Sequence, residues 1–198
     1  MISKKYKCVH VHINKAAGSS IERMLGYSTT GADHRTIHEY KEVLGGEIKN
    51  YFTFAFVRNP WDKIVSQYHH RKQNMKDDRI LNMNFKNWVH NLDTLGFDIK
   101  GTGNQLDWLC ENRWLWNPAK KAYTKRPYKI KLAVDYIGRF ENFEDDWSII
   151  CNKIGLVGET CHTKKSQHAD YREYYDDKTS QIIYDRFIDD IKFFKYKF

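Results

Sequence analysis

The chain has 198 residues, of which 41% are hydrophobic and 15% aromatic, and its formal net charge is +8. That length and composition exclude a disordered chain and fit a single domain, 1–198, with an ample core. The basic balance attracts polyanions, but no long Lys/Arg arm is present, which argues against a dedicated nucleic-acid binder.

The start, MISKKYKCVHVHI, lacks the apolar core and cleavage site of a signal peptide, and no run approaches the ~18–20 apolar residues of a membrane span. A soluble, cytoplasmic protein is the expectation. The four cysteines, Cys8, Cys110, Cys151 and Cys161, form no CxxC pair and match no zinc spacing. They are expected as thiols, with Cys8 buried, and no metal is expected.

Residues 6–13 alternate apolar and polar, with β-branched Val9, Val11 and Ile13, and predict a strand. A loop over Asn14–Ser19 follows. A helix is expected from Ser19, because Ser19 and Glu22 fit the capping box S-x-x-E. A second, short helix is predicted over 36–44, ended by Gly45 and Gly46. The apolar run 51–57, YFTFAFV, predicts a buried central strand of a parallel sheet. Asn59 as N-cap and Pro60 as first helical residue predict a helix over 60–73.

Further helices are expected over 85–92 and 104–111, and an irregular loop or hairpin over 112–129. A third main strand is expected over 132–140, and helices over 143–154 and 176–191. Alternating strands and helices predict an α/β fold, a three-layer α/β/α arrangement around a mostly parallel sheet with a P-loop-like nucleotide-binding core.

Two segments carry chemistry. In the first, Lys15-Ala16-Ala17-Gly18-Ser19-Ser20 joins a strand to a helix start, a place where backbone N–H groups meet anions. Lys15 adds a cation, Gly18 permits close backbone approach, and Ser19 and Ser20 add hydroxyls. The pattern G-x-x-x-x-G-K-[ST] is absent, which disfavours a metal-dependent kinase. In the second segment, FAFVRNPWDKIVSQY, Arg58 ends the central strand, where open α/β sheets bind ligands. Ser66 lies seven residues after Asn59, two turns along the helix at about 3.6 residues per turn. Arg58 and Ser66 are therefore expected to converge on one phosphate.

HINKAAGSSIERML and YFTFAFVRNPWDKIVSQY resemble the 5′-phosphosulfate loop and the 3′-phosphate motif of PAPS-dependent sulfotransferases. The likeness is strongest to the carbohydrate group that includes chondroitin and heparan sulfate 2-O enzymes and their bacterial relatives. VDYIGRFENFEDDW and the aromatic C-terminal stretch resemble later parts of the same family. One departure is Asn14, where the family usually has proline.

The resemblance implies PAPS as donor, with Lys15, Ala16, Ala17, Gly18, Ser19 and Ser20 around the phosphosulfate. It implies Lys15 also at the leaving oxygen, and Arg58 and Ser66 on the 3′-phosphate. It also places Lys165 and Ser166 where related enzymes close over the nucleotide. The family pattern H-A-T-A-x-E-Y-K points to His34 as general base, with His38 as second choice, while His10 and His12 are expected to be structural.

The aromatic and basic stretch 105–131 fits either a sugar-binding surface or a tryptophan core under a solvated loop. The acceptor is expected to be a carbohydrate hydroxyl, with a lipid-linked sugar or small alcohol also open. Two rival functions remain at this point, a P-loop-like kinase and a non-enzymatic polyanion-binding module.

Overall fold

A computed structural model describes residues 1–27, 33–74, 81–92, 103–111, 114–117, 122–125, 131–157 and 169–198. The chain divides into two compact units. The first comprises Met1–Ile13, Ala17–Val57 and Gln105–Cys161. The second comprises Asn14–Ala16, Arg58–Asn104 and His162–Phe198.

The first unit holds a four-stranded sheet in the order β1-β2-β3-β6, with β1 Ile2–Ser3, β2 Cys8–Val11, β3 Phe52–Val57 and β6 Tyr136–Arg139. β3 runs parallel to both neighbours, with Val9 opposite Thr53 and Ala55 opposite Ile137. Its apolar run is buried from Thr53 to Val57, as an interior parallel strand requires. β1 adds an antiparallel edge that the sequence did not announce. The sheet is mostly parallel and flanked by helices, in keeping with the three-layer α/β/α class.

β6 is shorter than the expected 132–140. Thr53 donates its main-chain N–H (2.7 Å) and its hydroxyl (2.8 Å) to the Asp135 carboxylate, and the paired register with β3 starts at Tyr136. Within β6, Gly138 faces Phe56, and a Cβ there would lie 2.6 Å from the Phe56 ring. The glycine thus lets that ring cross the neighbouring strand.

Helices α1 Gly18–Met24 and α2 Ile37–Leu44 lie between β2 and β3, and α5 Leu106–Leu109 precedes a two-stranded antiparallel hairpin. The hairpin pairs β4 Trp114–Asn117 with β5 Ala122–Lys125, which settles the loop-or-hairpin question. Helix α6 occupies Phe143–Ile154 as expected, with three acids in its first turn and Gly155 closing it at φ 70. Asp146 ties it to β6 by accepting from the Tyr136 hydroxyl (2.6 Å) and the Arg139 N–H (2.7 Å). Cys8, Cys110 and Cys151 are buried thiols, and Cys161 lies outside the described residues.

The second unit holds α3 Pro60–Asn74, α4 Phe85–His90, α7 Asp177–Arg186 and α8 Ile188–Phe194. Asn59 caps α3 by accepting the Trp61 N–H at 3.1 Å, with Pro60 at the first helical position. The helix expected over 176–191 is broken at Phe187, which leaves helical dihedrals and is fully buried. Aromatic rings fill this unit: Phe85 packs edge-on against Tyr175 at 4.9 Å, and Trp61 meets Phe198 at 5.4 Å. Among the described residues, no helix is long and apolar enough to cross a membrane.

Candidate active site

The candidate residues fall into two groups. In the second unit, Arg58 follows directly on the carboxyl end of β3 and is 4% exposed. It donates from Nε to Asp62 Oδ2 (2.8 Å) and from Nη2 to Asp62 Oδ1 (2.9 Å). Its Nη1 donates to the Lys15 carbonyl at 3.1 Å. Lys15 and Arg58, far apart in sequence, are therefore brought together.

Burial, and then the Arg58 guanidinium, push the Lys15 ammonium down to about 8. Among the described residues no carboxylate pairs with Lys15. Two cations close enough to oppose each other's charge in a partly dry site, one with no acid among the described residues, suit a bound anion. His70 is also held below the ordinary histidine range, by burial first and then by Lys15 and Arg71.

Lys15 and Ala17 adopt left-handed backbone, φ 64 and φ 68. For residues other than glycine each such conformation costs about 1 kcal/mol, and strain of this kind concentrates at functional sites. Ser66, 6% exposed, lies four residues after Asp62 on α3 and so shares its face. Asp62 as the partner of Arg58 was missed from sequence. Its spacing of four from Arg58 was the available signal.

In the first unit, α1 begins at Gly18 with Ala17 as N-cap, and no side chain caps it. The capping box expected from Ser19 and Glu22 is absent. Glu22 instead turns to His12, whose Nδ1 lies 2.9 Å from Glu22 Oε1, and both side chains are buried. A buried carboxylate finds more in an imidazole partner than in a surface cap. The real capping box opens α2, where Thr36 Oγ1 accepts the Glu39 N–H at 3.2 Å and Glu39 accepts the Thr36 N–H at 2.6 Å.

That cap sets the chain direction just after His34. The His34 ring lies 4.5 Å from that of His12 and edge-on to Trp108 at 6.3 Å. Its Nδ1 lies 3.4 Å from the His12 carbonyl oxygen. His38, the second choice, is exposed and reaches Glu42 at 3.4 Å. His10 is fully buried, stacked on Phe54 at 5.1 Å, and burial drives it well below the ordinary histidine range.

Gly18 has a reason the sequence did not give. A Cβ there would lie 2.0 Å from His12 Cδ2, so the glycine makes room for the imidazole. Ala16 is buried, Ser19 exposed and Ser20 half-buried. Lys165 and Ser166 lie outside the described residues, as do Lys120, Lys121 and Arg126 of the basic stretch. Trp108 of that stretch is buried.

Residues 1–197 match the sulfotransferase family. The chain belongs to the sulfotransferase family. Its chemistry is thus sulfuryl transfer, which implies an acceptor bearing a hydroxyl. This sulfotransferase is 30% identical over 110 residues to an uncharacterized protein of Archaeoglobus fulgidus, an alignment covering 55% of this chain and 72% of the relative. No solved structure matches it.

Proposed function

We propose that this sulfotransferase takes its sulfuryl group from PAPS and passes it to a carbohydrate hydroxyl, with His34 as general base. The observation that carries the reading is the Lys15–Arg58 pair. Arg58 donates to the Lys15 main-chain carbonyl, the guanidinium lowers the Lys15 ammonium, and among the described residues no carboxylate pairs with Lys15, all within the segments that resemble the family's phosphosulfate and 3′-phosphate motifs.

Lys15, Ala16, Ala17, Gly18, Ser19 and Ser20 hold the phosphosulfate. Arg58 and Ser66 hold the 3′-phosphate, and Lys165 and Ser166 close over the nucleotide. PAPS supplies a sulfuryl group on a phosphate leaving group. Lys15 neutralises charge at the leaving oxygen, which suits a lysine whose proton is easily lost and regained near neutral pH. His34 takes the acceptor's hydroxyl proton as the new oxygen–sulfur bond forms.

The test is incubation with labelled PAPS and a panel of glycans, with His34→Ala and Lys15→Ala as controls. Label should move to at least one glycan, and both substitutions should lower the rate by about 100-fold or more. Unchanged transfer in both variants would remove the roles given to these residues.

A further inference from the structure

His12 and Glu22 take no part in the proposed function, yet they form a polar pair buried in the first unit. The Glu22 side chain is 2% exposed and that of His12 5%, with 2.9 Å between Oε1 and Nδ1. Glu22 Oε2 has no hydrogen-bond partner among the described residues. A buried carboxylate with one oxygen unsatisfied is a costly structural device, and an apolar pair would fill the same space at lower cost. The pair also draws Glu22 away from capping α1 and requires glycine at 18.

The arrangement confines the His12 ring from several sides. Glu22 holds one edge of its ring. Gly18 closes against Cδ2, and the His10 ring stacks at 5.7 Å. His34 then rests on His12, ring against ring at 4.5 Å, with Nδ1 on the His12 carbonyl. A carbonyl oxygen only accepts, so the contact favours the tautomer with the proton on His34 Nδ1, which in a neutral ring leaves the lone pair on Nε2.

We propose that Glu22 and His12 are positioning residues for His34, fixing both its orientation and the tautomer that leaves Nε2 basic. Glu22 acts through His12, and His12 acts through its ring face and its main-chain oxygen. Neither needs to touch the substrate. This inference rests on the reading of His34 as the base.

The experiment compares the full-length wild-type chain with Glu22→Leu, Glu22→Gln and His34→Ala. Each is measured for transfer kinetics, and all but the last for the ¹⁵N imidazole shifts of His34, identified by the signal that His34→Ala removes. Glu22→Leu keeps the volume and removes the acceptor. It should lower kcat roughly 10- to 100-fold, the usual cost of losing a residue that orients a reacting side chain, with KM for the donor unchanged. His34 Nε2 should lose its lone-pair shift as the two tautomers mix. Glu22→Gln keeps an oxygen facing His12 Nδ1 and should recover most of that loss.

If Glu22→Leu keeps the wild-type kcat and the wild-type His34 shifts, the positioning role is overturned. A fall in thermal midpoint with kcat unchanged overturns it equally, since that is all a structural pair would do. If His34→Ala itself transfers at the wild-type rate, the reading of His34 as base fails. The ¹⁵N shifts still report whether Glu22 sets its tautomer.

Discussion

Arg58 holds Asp62 through two parallel hydrogen bonds, 2.8 Å and 2.9 Å, one turn into the helix that Asn59 caps. The fork fixes the guanidinium plane before any ligand arrives. In the proposed anion site Asp62 therefore acts as an organiser of Arg58 despite its negative charge. Arg58→Ala should weaken PAP binding by about 1.5–3 kcal/mol, the worth of a charge-assisted hydrogen bond. Asp62→Asn should also weaken it, by roughly 1 kcal/mol, although simple charge counting predicts tighter binding. Titration calorimetry separates the two, and tighter binding by Asp62→Asn would show that Asp62 only repels the ligand.

Lys15 loses its proton at about 8 in the native chain and at 10.5 in the unfolded one. Across that window the unfolded chain binds more protons, so this group makes stability rise with pH. A bound anion should restore the proton. At about pH 8.5, PAP binding is expected to take up protons, and the measured heat should track the ionisation enthalpy of the buffer. At about pH 7 the Lys15 contribution should vanish. Lys15→Met should abolish the uptake at the higher pH, and an unchanged buffer dependence would assign it to another group.

Gly18→Ala would drive a methyl group to 2.0 Å from His12 Cδ2. Overpacking of this kind costs about 1–3 kcal/mol, or more where the neighbour is clamped. The denaturation midpoint should fall accordingly. In a His12→Ala background the same substitution should cost much less, and the coupling in that cycle measures the clash. Equal costs in the two backgrounds would mean that Gly18 is needed for its backbone alone.

His10 is held neutral by burial, and its Nδ1 has no hydrogen-bond partner among the described residues. Below its ordinary value of 6.5 the unfolded chain takes up a proton that native His10 refuses, so stability should fall with falling pH. His10→Leu should flatten that acid-side slope between about pH 6.5 and 5 in urea titrations. A slope unchanged by the substitution would place the acid sensitivity elsewhere.

Periodicity and caps made much of this fold legible. The run YFTFAFV fitted an interior parallel strand, and Asn59-Pro60 marked the start of α3 to the residue. Helix α6 was equally plain, because Phe143, Trp147, Ile150, Cys151 and Ile154 share one face. What failed had tertiary causes. Glu22 satisfied a local capping pattern, but a buried imidazole from another element outcompeted it. β6 starts at Tyr136, and just before it the Asp135 carboxylate accepts from Thr53, a contact that no pattern of alternation reports. The break at Phe187 serves burial, and helical spacing continues across it. In the candidate site, residue types and order singled out Lys15 and Arg58 as candidates. Their contact through a main-chain carbonyl, and the His12–Glu22 pair beneath His34, depend on distances that only the folded chain sets.

The central claim is that the Lys15 and Arg58 region holds a 3′,5′-bisphosphorylated adenosine. Calorimetric titration of the wild-type chain with PAP and with ADP, both in excess EDTA, tests it most directly. The account predicts metal-independent binding of PAP, tighter than that of ADP, with the difference lost in Arg58→Ala. No binding of PAP, or equal binding of the two nucleotides, would contradict it.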